Sequence, residues 1–169
     1  MPSPAKVNSA TAQSAQDIKA RLGTAWIPEI YRERILKMRT RSYQLGPLGK
    51  TSNVEIQHTL LGIELKLGRR RLLCPDLATA RYLAVFARAG CAAVAVPYDI
   101  SRISHLADEL DSSWHRMLLM VDQVAPNRTA ANRTRLQRWL IAEVRDEIAA
   151  AGAGSVTQLF NQNTKQRSA

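Results

Sequence analysis

Glu64 and Lys66 stand one residue apart in Gly62-Ile63-Glu64-Leu65-Lys66-Leu67, a run that alternates apolar and polar side chains. In a strand this spacing puts Ile63, Leu65 and Leu67 on one face and Glu64 and Lys66 on the other. A carboxylate and an ammonium on one face, with Leu65 between them toward the core, are the one constellation in the chain that could carry chemistry. Glu55 lies upstream in a further alternating run from Val54. Other catalytic patterns are absent from the sequence: there is no phosphate-cradling glycine loop and no GxSxG elbow, and His58, His105 and His115 have no paired ligand spacing.

The order around Glu64-Leu65-Lys66 is a strand, a short basic segment at Arg69-Arg70-Arg71, a helix and an apolar strand. Over about 45 residues it resembles the PD-(D/E)xK nucleases. The resemblance implies Glu64 and Lys66 as catalytic residues, Glu55 and Glu64 as metal ligands, and Mg²⁺ or Mn²⁺ as the cofactor. Residues 40–63 contain no Asp, so the family's usual upstream aspartate has only Glu55 to stand in for it. Outside this alternative no cofactor is expected.

The elements that must position these residues are legible from pattern. Gly68 and Arg69 turn the chain into a return strand, Arg71-Leu72-Leu73-Cys74, and Asp76 offers a cap to a helix over Leu77 to Ala89. That helix is apolar almost all round, with Gly90 placed for a left-handed C-cap. It leads into Ala92-Ala93-Val94-Ala95-Val96, a strand covered on both faces. A hairpin followed by a βαβ unit with a right-handed crossover is the expected frame. Before it, Val54 to Leu67 is either one long strand bulged at Gly62 or two strands that meet there, and the bulge is the preferred expectation. Pro28 starts a helix expected to run to Tyr43, with Ile27, Ile30, Tyr31, Ile35 and Met38 inward. After Pro97, Asp99 or Ser101 caps a long helix with the stripe Ile103, Leu106, Leu110, Trp114, Met117 and Val121, and a last helix spans Ala130 to Ala151. The fold class is therefore α/β (α+β): a small mixed sheet flanked by about four helices. Residues 1–23 are expected as a mobile arm, 24–151 as one domain and 152–169 as a flexible tail.

Charge supplies the first functional reading. The formal net charge is +10, distributed as +6 over residues 1–50, +2 over 51–75, −2 over 76–125 and +4 over 126–169. Such a balance favours encounter with nucleic acid or an acidic protein surface. Three basic groupings are candidates for phosphate contact: Arg32, Arg34, Lys37, Arg39 and Arg41 after Pro28; Arg69, Arg70 and Arg71 at the hairpin turn; and Arg135, Arg138 and Arg145 on the last helix. These lead to a non-catalytic protein binding an anionic partner, nucleic acid foremost, in a regulatory or assembly role. An adaptor that self-associates through the helix 99–124, bearing Trp114, Met117 and Met120, is the third alternative. The acidic cluster Asp108, Glu109 and Asp111 reads as a solvated face or as a dock for a second copy's basic helix. The longest apolar run, Cys91 to Val96, is far short of a membrane span, Met1 to Gly23 lacks the apolar core of a secretory signal, and Cys74 and Cys91 suit packed, reduced thiols. A cytoplasmic protein is expected, with no membrane span.

Overall fold

The hydroxyls of Tyr31 and Tyr82 decide the topology of this chain. In the computed structural model, which describes residues 4–46 and 53–154, strand β1 (Thr40–Gln44) pairs antiparallel with β5 (Ala93–Pro97), in register from Thr40 opposite Pro97 to Gln44 opposite Ala93. Three more strands, β2 (Val54–Thr59), β3 (Gly62–Leu67) and β4 (Arg70–Cys74), form a separate antiparallel meander in the order β2-β3-β4. On the side of β5 away from β1, the Ala95 N–H donates to Tyr31 Oη at 3.0 Å and the Ala95 carbonyl accepts from Tyr82 Oη at 2.6 Å. The edge on which a parallel β4 would have added is thus already hydrogen-bonded. The expected βαβ crossover does not form, although β4, the helix α3 (Leu77–Arg88) and β5 do follow in the order expected.

The class is α+β, with four long helices around two small antiparallel sheets. Asp76 caps α3 by accepting from Thr79 N at 2.7 Å, and Gly90 follows with φ at +82°. The helix α4 (Ile100–Val124) is capped by Asp99, which accepts from Ser101 N at 3.1 Å, and α5 (Ala130–Ala151) by Thr129. The core gathers Phe86 between Tyr31 and Tyr82, with ring centroids 5.7 and 5.1 Å away, together with Leu83, Val94, Val96, Leu110, Leu140 and Val144. Of the α4 stripe, Trp114 and Met117 are buried, which removes them from any surface for self-association and leaves Ile100 and Leu119 as the large exposed apolar groups of that helix.

Four more expectations are corrected. Most of the segment expected as a mobile arm is helix α1 (Pro4–Leu22), which buries Thr11, Ala15, Ile18 and Leu22 against α4 and α5. Its stripe is built largely from small residues and is faint in the sequence. The helix after Pro28 is short: α2 (Ile27–Ile30) widens into a π-helical turn over Tyr31–Ile35 and stops, so Arg39 and Arg41 lie before and within β1 rather than on a helix. At Gly62 there is no bulge. Thr59 pairs with Gly62 across a two-residue turn, Leu60-Leu61, whose side chains are fully exposed or nearly so. The acidic cluster of α4 is engaged within the chain: Arg81 bonds Asp108 at 2.8 Å and Asp111 at 3.1 Å, Arg88 reaches Asp111, and Arg34 holds Glu109.

Gly152 accepts a hydrogen bond from Tyr31 Oη at 2.5 Å, and Gly154 lies against Thr40 and Ala95, so the start of the expected tail is tied to the core. Residues 155–169 of that tail lie outside the described residues. Among the described residues no helix is long and apolar enough to cross a membrane.

Two outcomes follow from the buried hydroxyls. Tyr82→Phe strips the Ala95 carbonyl of its partner and should cost about 1–3 kcal/mol in urea unfolding at neutral pH. Burial pushes Tyr31 up from 10.0 to about 12 and Cys91 from 9.0 to about 12, and raises Tyr82 well above 10.0. The unfolded chain therefore gives up these protons at lower pH than the folded one, so stability is complete below about pH 9 and is lost as pH rises toward 12. The urea midpoint should fall across that window, and less steeply in Tyr82→Phe.

Candidate nucleic-acid interface

Because β1 pairs with β5, Arg41 and Tyr43 fall on one face, opposite Val96 and Val94. Just beyond β5, the Tyr98 N–H donates to the Arg39 carbonyl at 3.1 Å, which brings the Tyr98 ring alongside β1. The Arg39 guanidinium lies 5.0 Å from the Tyr98 ring centre, and that of Arg41 lies 5.0 Å from Tyr43 and 5.8 Å from Tyr98. The result is an alternating row, Arg39, Tyr98, Arg41, Tyr43. Each such contact is worth about 0.5–1 kcal/mol at an exposed site. Burial, the larger influence, raises the Tyr43 pKa, so the phenol stays neutral near the physiological range. At the far end of β1, Arg70 Nη1 donates to the Leu45 carbonyl at 3.4 Å and packs over Gly46, where a Cβ would collide with the guanidinium. Arg70 is thereby held at the Leu45 end of β1.

The remaining candidates are dispersed. Arg32 bonds Glu29 and Glu147, both at 3.1 Å, Arg34 gives both terminal nitrogens to Glu109, and Lys37 bonds Glu33 at 2.8 Å, lowering the Glu33 pKa. These three charges are largely matched. Arg135 bonds Asn132 and, with Arg138, lines a shallow surface on α5 together with Thr134, while Arg145 packs beside Gly90 and Asp146. Arg69 is exposed in the β3–β4 turn, and Arg71 Nη1 lies 3.7 Å from Glu64 Oε2.

The meander brings the resemblance-implied residues to one face. Lys66 stands directly between Glu55 on β2 and Arg71 on β4, and Glu64 between Gln57 and Leu73, so Glu55 and Glu64 are diagonal neighbours. Glu64 is only 8% exposed. Strand alternation predicts a solvated side chain there; the central position of β3, flanked by long side chains on both sides, covers it instead. Its Oε2 makes no hydrogen bond and faces the Arg71 guanidinium. Among the described residues no group of three or more His, Cys, Asp or Glu side chains could hold a metal ion, and the remaining residues contain none of these four types.

Tyr98 was not legible as a site residue, because its role depends on the pairing of β1 with β5. The same holds for a cavity of about 460 Å³ lined by Arg34, Met38, Ser101, Arg102, His105 and Leu106. It adjoins the Arg39 end of the row: Arg102 Nη1 lies 3.8 Å from Met38 Sδ, and Arg102 Nε 3.7 Å from Asp99. His105 Nε2 is 3.2 Å from Glu109.

Comparison with protein-family models, with curated proteins and with solved structures finds no match to this chain.

The Glu64 carboxylate gives a local test. Arg71 is mostly exposed, so Arg71→Ala should cost only about 1 kcal/mol. Adding Glu64→Gln to that variant should recover stability, because the amide needs no counter-charge. Strict additivity in the double-mutant cycle would show the two residues to be uncoupled.

Proposed function

We propose that this chain is a non-catalytic nucleic-acid-binding protein with a regulatory or assembly role, and that it contacts its partner through the β1 row. The alternating Arg39, Tyr98, Arg41, Tyr43 arrangement, with Arg70 held at the Leu45 end of β1, is the observation that carries the reading. Guanidiniums held in place by rings are suited to phosphate oxygens, and the partly exposed Tyr98 ring offers a base a π-face. Acidic side chains bind Arg32, Arg34 and Lys37, whereas Arg41 is held between the Tyr43 and Tyr98 rings, contacts that order a guanidinium without an opposing charge. A net charge of +10 adds long-range attraction to any polyanion.

The test is a titration with labelled single-stranded and duplex DNA and RNA at low and physiological salt, with Mg²⁺ or Mn²⁺ present and the products resolved on a denaturing gel. Binding without cleavage is expected. Arg39→Gln with Arg41→Gln should lower the slope of log affinity against log salt by about 1.4–1.8, whereas Lys37→Gln should leave it nearly unchanged. Tyr98→Ala should cost about 1–3 kcal/mol on single strands and little on duplex. Reversing Arg69, Arg70 and Arg71 to Glu should abolish binding; if a protein partner is found whose binding survives that change, the adaptor alternative takes precedence. Cleavage that disappears in Glu64→Ala and in Lys66→Ala would replace this reading with the nuclease.

A further inference from the structure

We propose that the cavity between the π-helical turn and the first turns of α4 is a site for a terminal phosphomonoester, so that the row on β1 receives one end of a strand rather than its interior. The proposal rests on the nucleic-acid reading and specifies it. Two guanidiniums, Arg34 and Arg102, and the imidazole of His105 line this one cavity, with Met38 and Leu106 as its apolar wall.

Arg102 has donors to spare. Among the described residues its side-chain partners are the Met38 sulfur at 3.8 Å and Asp99 at 3.7 Å, both loose, and its side chain is 65% exposed. Arg34 commits two N–H groups to Glu109, which leaves three of the five on its guanidinium. The two nearby carboxylates are already occupied: Asp99 accepts from the N–H and hydroxyl of Ser101, and Glu109 from Arg34, with His105 beside it. These hydrogen bonds lower the pKa of Asp99 and of Glu109, so both stay ionised and hold the cations in place.

The chemistry distinguishes the end of a strand from its middle. An internal phosphodiester shares one negative charge between two oxygens and repeats along the strand, which a linear row of single arginines matches. A monoester carries close to two charges on three oxygens and rewards several donors gathered at one point. The cavity gathers them where the row stops, since Met38, in its wall, precedes Arg39 in the chain.

The experiment compares one single-stranded oligonucleotide in three forms, 5′-phosphorylated, 3′-phosphorylated and hydroxyl-ended, by fluorescence anisotropy on the full chain. One phosphorylated form should bind at least about tenfold tighter than the hydroxyl-ended form, and the two arms show which end is read. Arg102→Gln with His105→Gln should bring that preference to within about twofold while leaving hydroxyl-ended binding unchanged, which also reports that the variant is folded. Arg41→Gln should weaken all three forms alike and preserve the ratio. Equal binding of all three forms, or a preference that survives the double substitution, overturns the terminal-phosphate site and leaves the nucleic-acid reading standing. Absence of binding by every form overturns both.

Discussion

The peptide of Ala95 is gripped on its outer side by two phenolic hydroxyls whose rings both pack on Phe86, and the division of the strands into two sheets is consistent with that grip. A buried strand edge must find partners for its N–H and carbonyl groups, because an unpaired one costs as much as a lost hydrogen bond. Here the partners are Tyr31, from the π-helical turn, and Tyr82, from the middle of α3. With that edge closed, β5 can pair only with β1. The meander β2-β3-β4 is left as a separate sheet, with α3 packed against it. The Tyr31 hydroxyl also donates to Gly152, so one oxygen joins the first third of the chain, the two-stranded β1-β5 sheet and the end of α5.

Those features that depend on neighbouring residues could be read from the sequence, and those that depend on distant ones could not. The caps Asp76 and Asp99, the stop at Gly90 and the apolar stripes of α3, α4 and α5 are local chemistry, and each stands where its pattern places it. The division into two sheets depends on hydroxyls far from Ala95 in sequence, so a run of apolar residues after a helix reads as a parallel strand. Helical spacing carries through Ile27, Ile30, Tyr31, Ile35 and Met38, which hides the break; the strand at Thr40–Gln44 exists because Ala93–Pro97 is there to pair with it. Helix α1 escapes notice because Thr11, Ala15 and Ile18 make a stripe with little hydrophobic contrast.

The candidate site divides in the same way. Arginine in the right region of the chain is visible as composition, and Arg39, Arg41 and Arg70 were among the residues so marked. Which basic residues are drawn into ion pairs is a tertiary property: Glu147 alone accepts from Trp26 at 2.9 Å, Arg32 at 3.1 Å and Lys19 at 3.2 Å, drawing two cations into the joint between α1, α2 and α5. The acidic middle of the sequence has a related role, since Asp108, Glu109 and Asp111 hold α4 to α3 and to the π-helical turn through Arg81, Arg88 and Arg34.

Two of the bonds that fasten the N-terminal third, Tyr31 to Gly152 and Trp26 to Glu147, each join residues 121 positions apart. At a translation rate of about 5–20 residues per second, roughly 6 to 24 s separate the synthesis of these tyrosine and tryptophan side chains from that of their acceptors. During that interval α1 and the π-helical turn have no α5 to rest on, and β5 emerges before the Gly152 end of its clamp exists. The chain's native order is thus completed from its last helix backward, and loss of α5 would be felt first at residues near the opposite terminus.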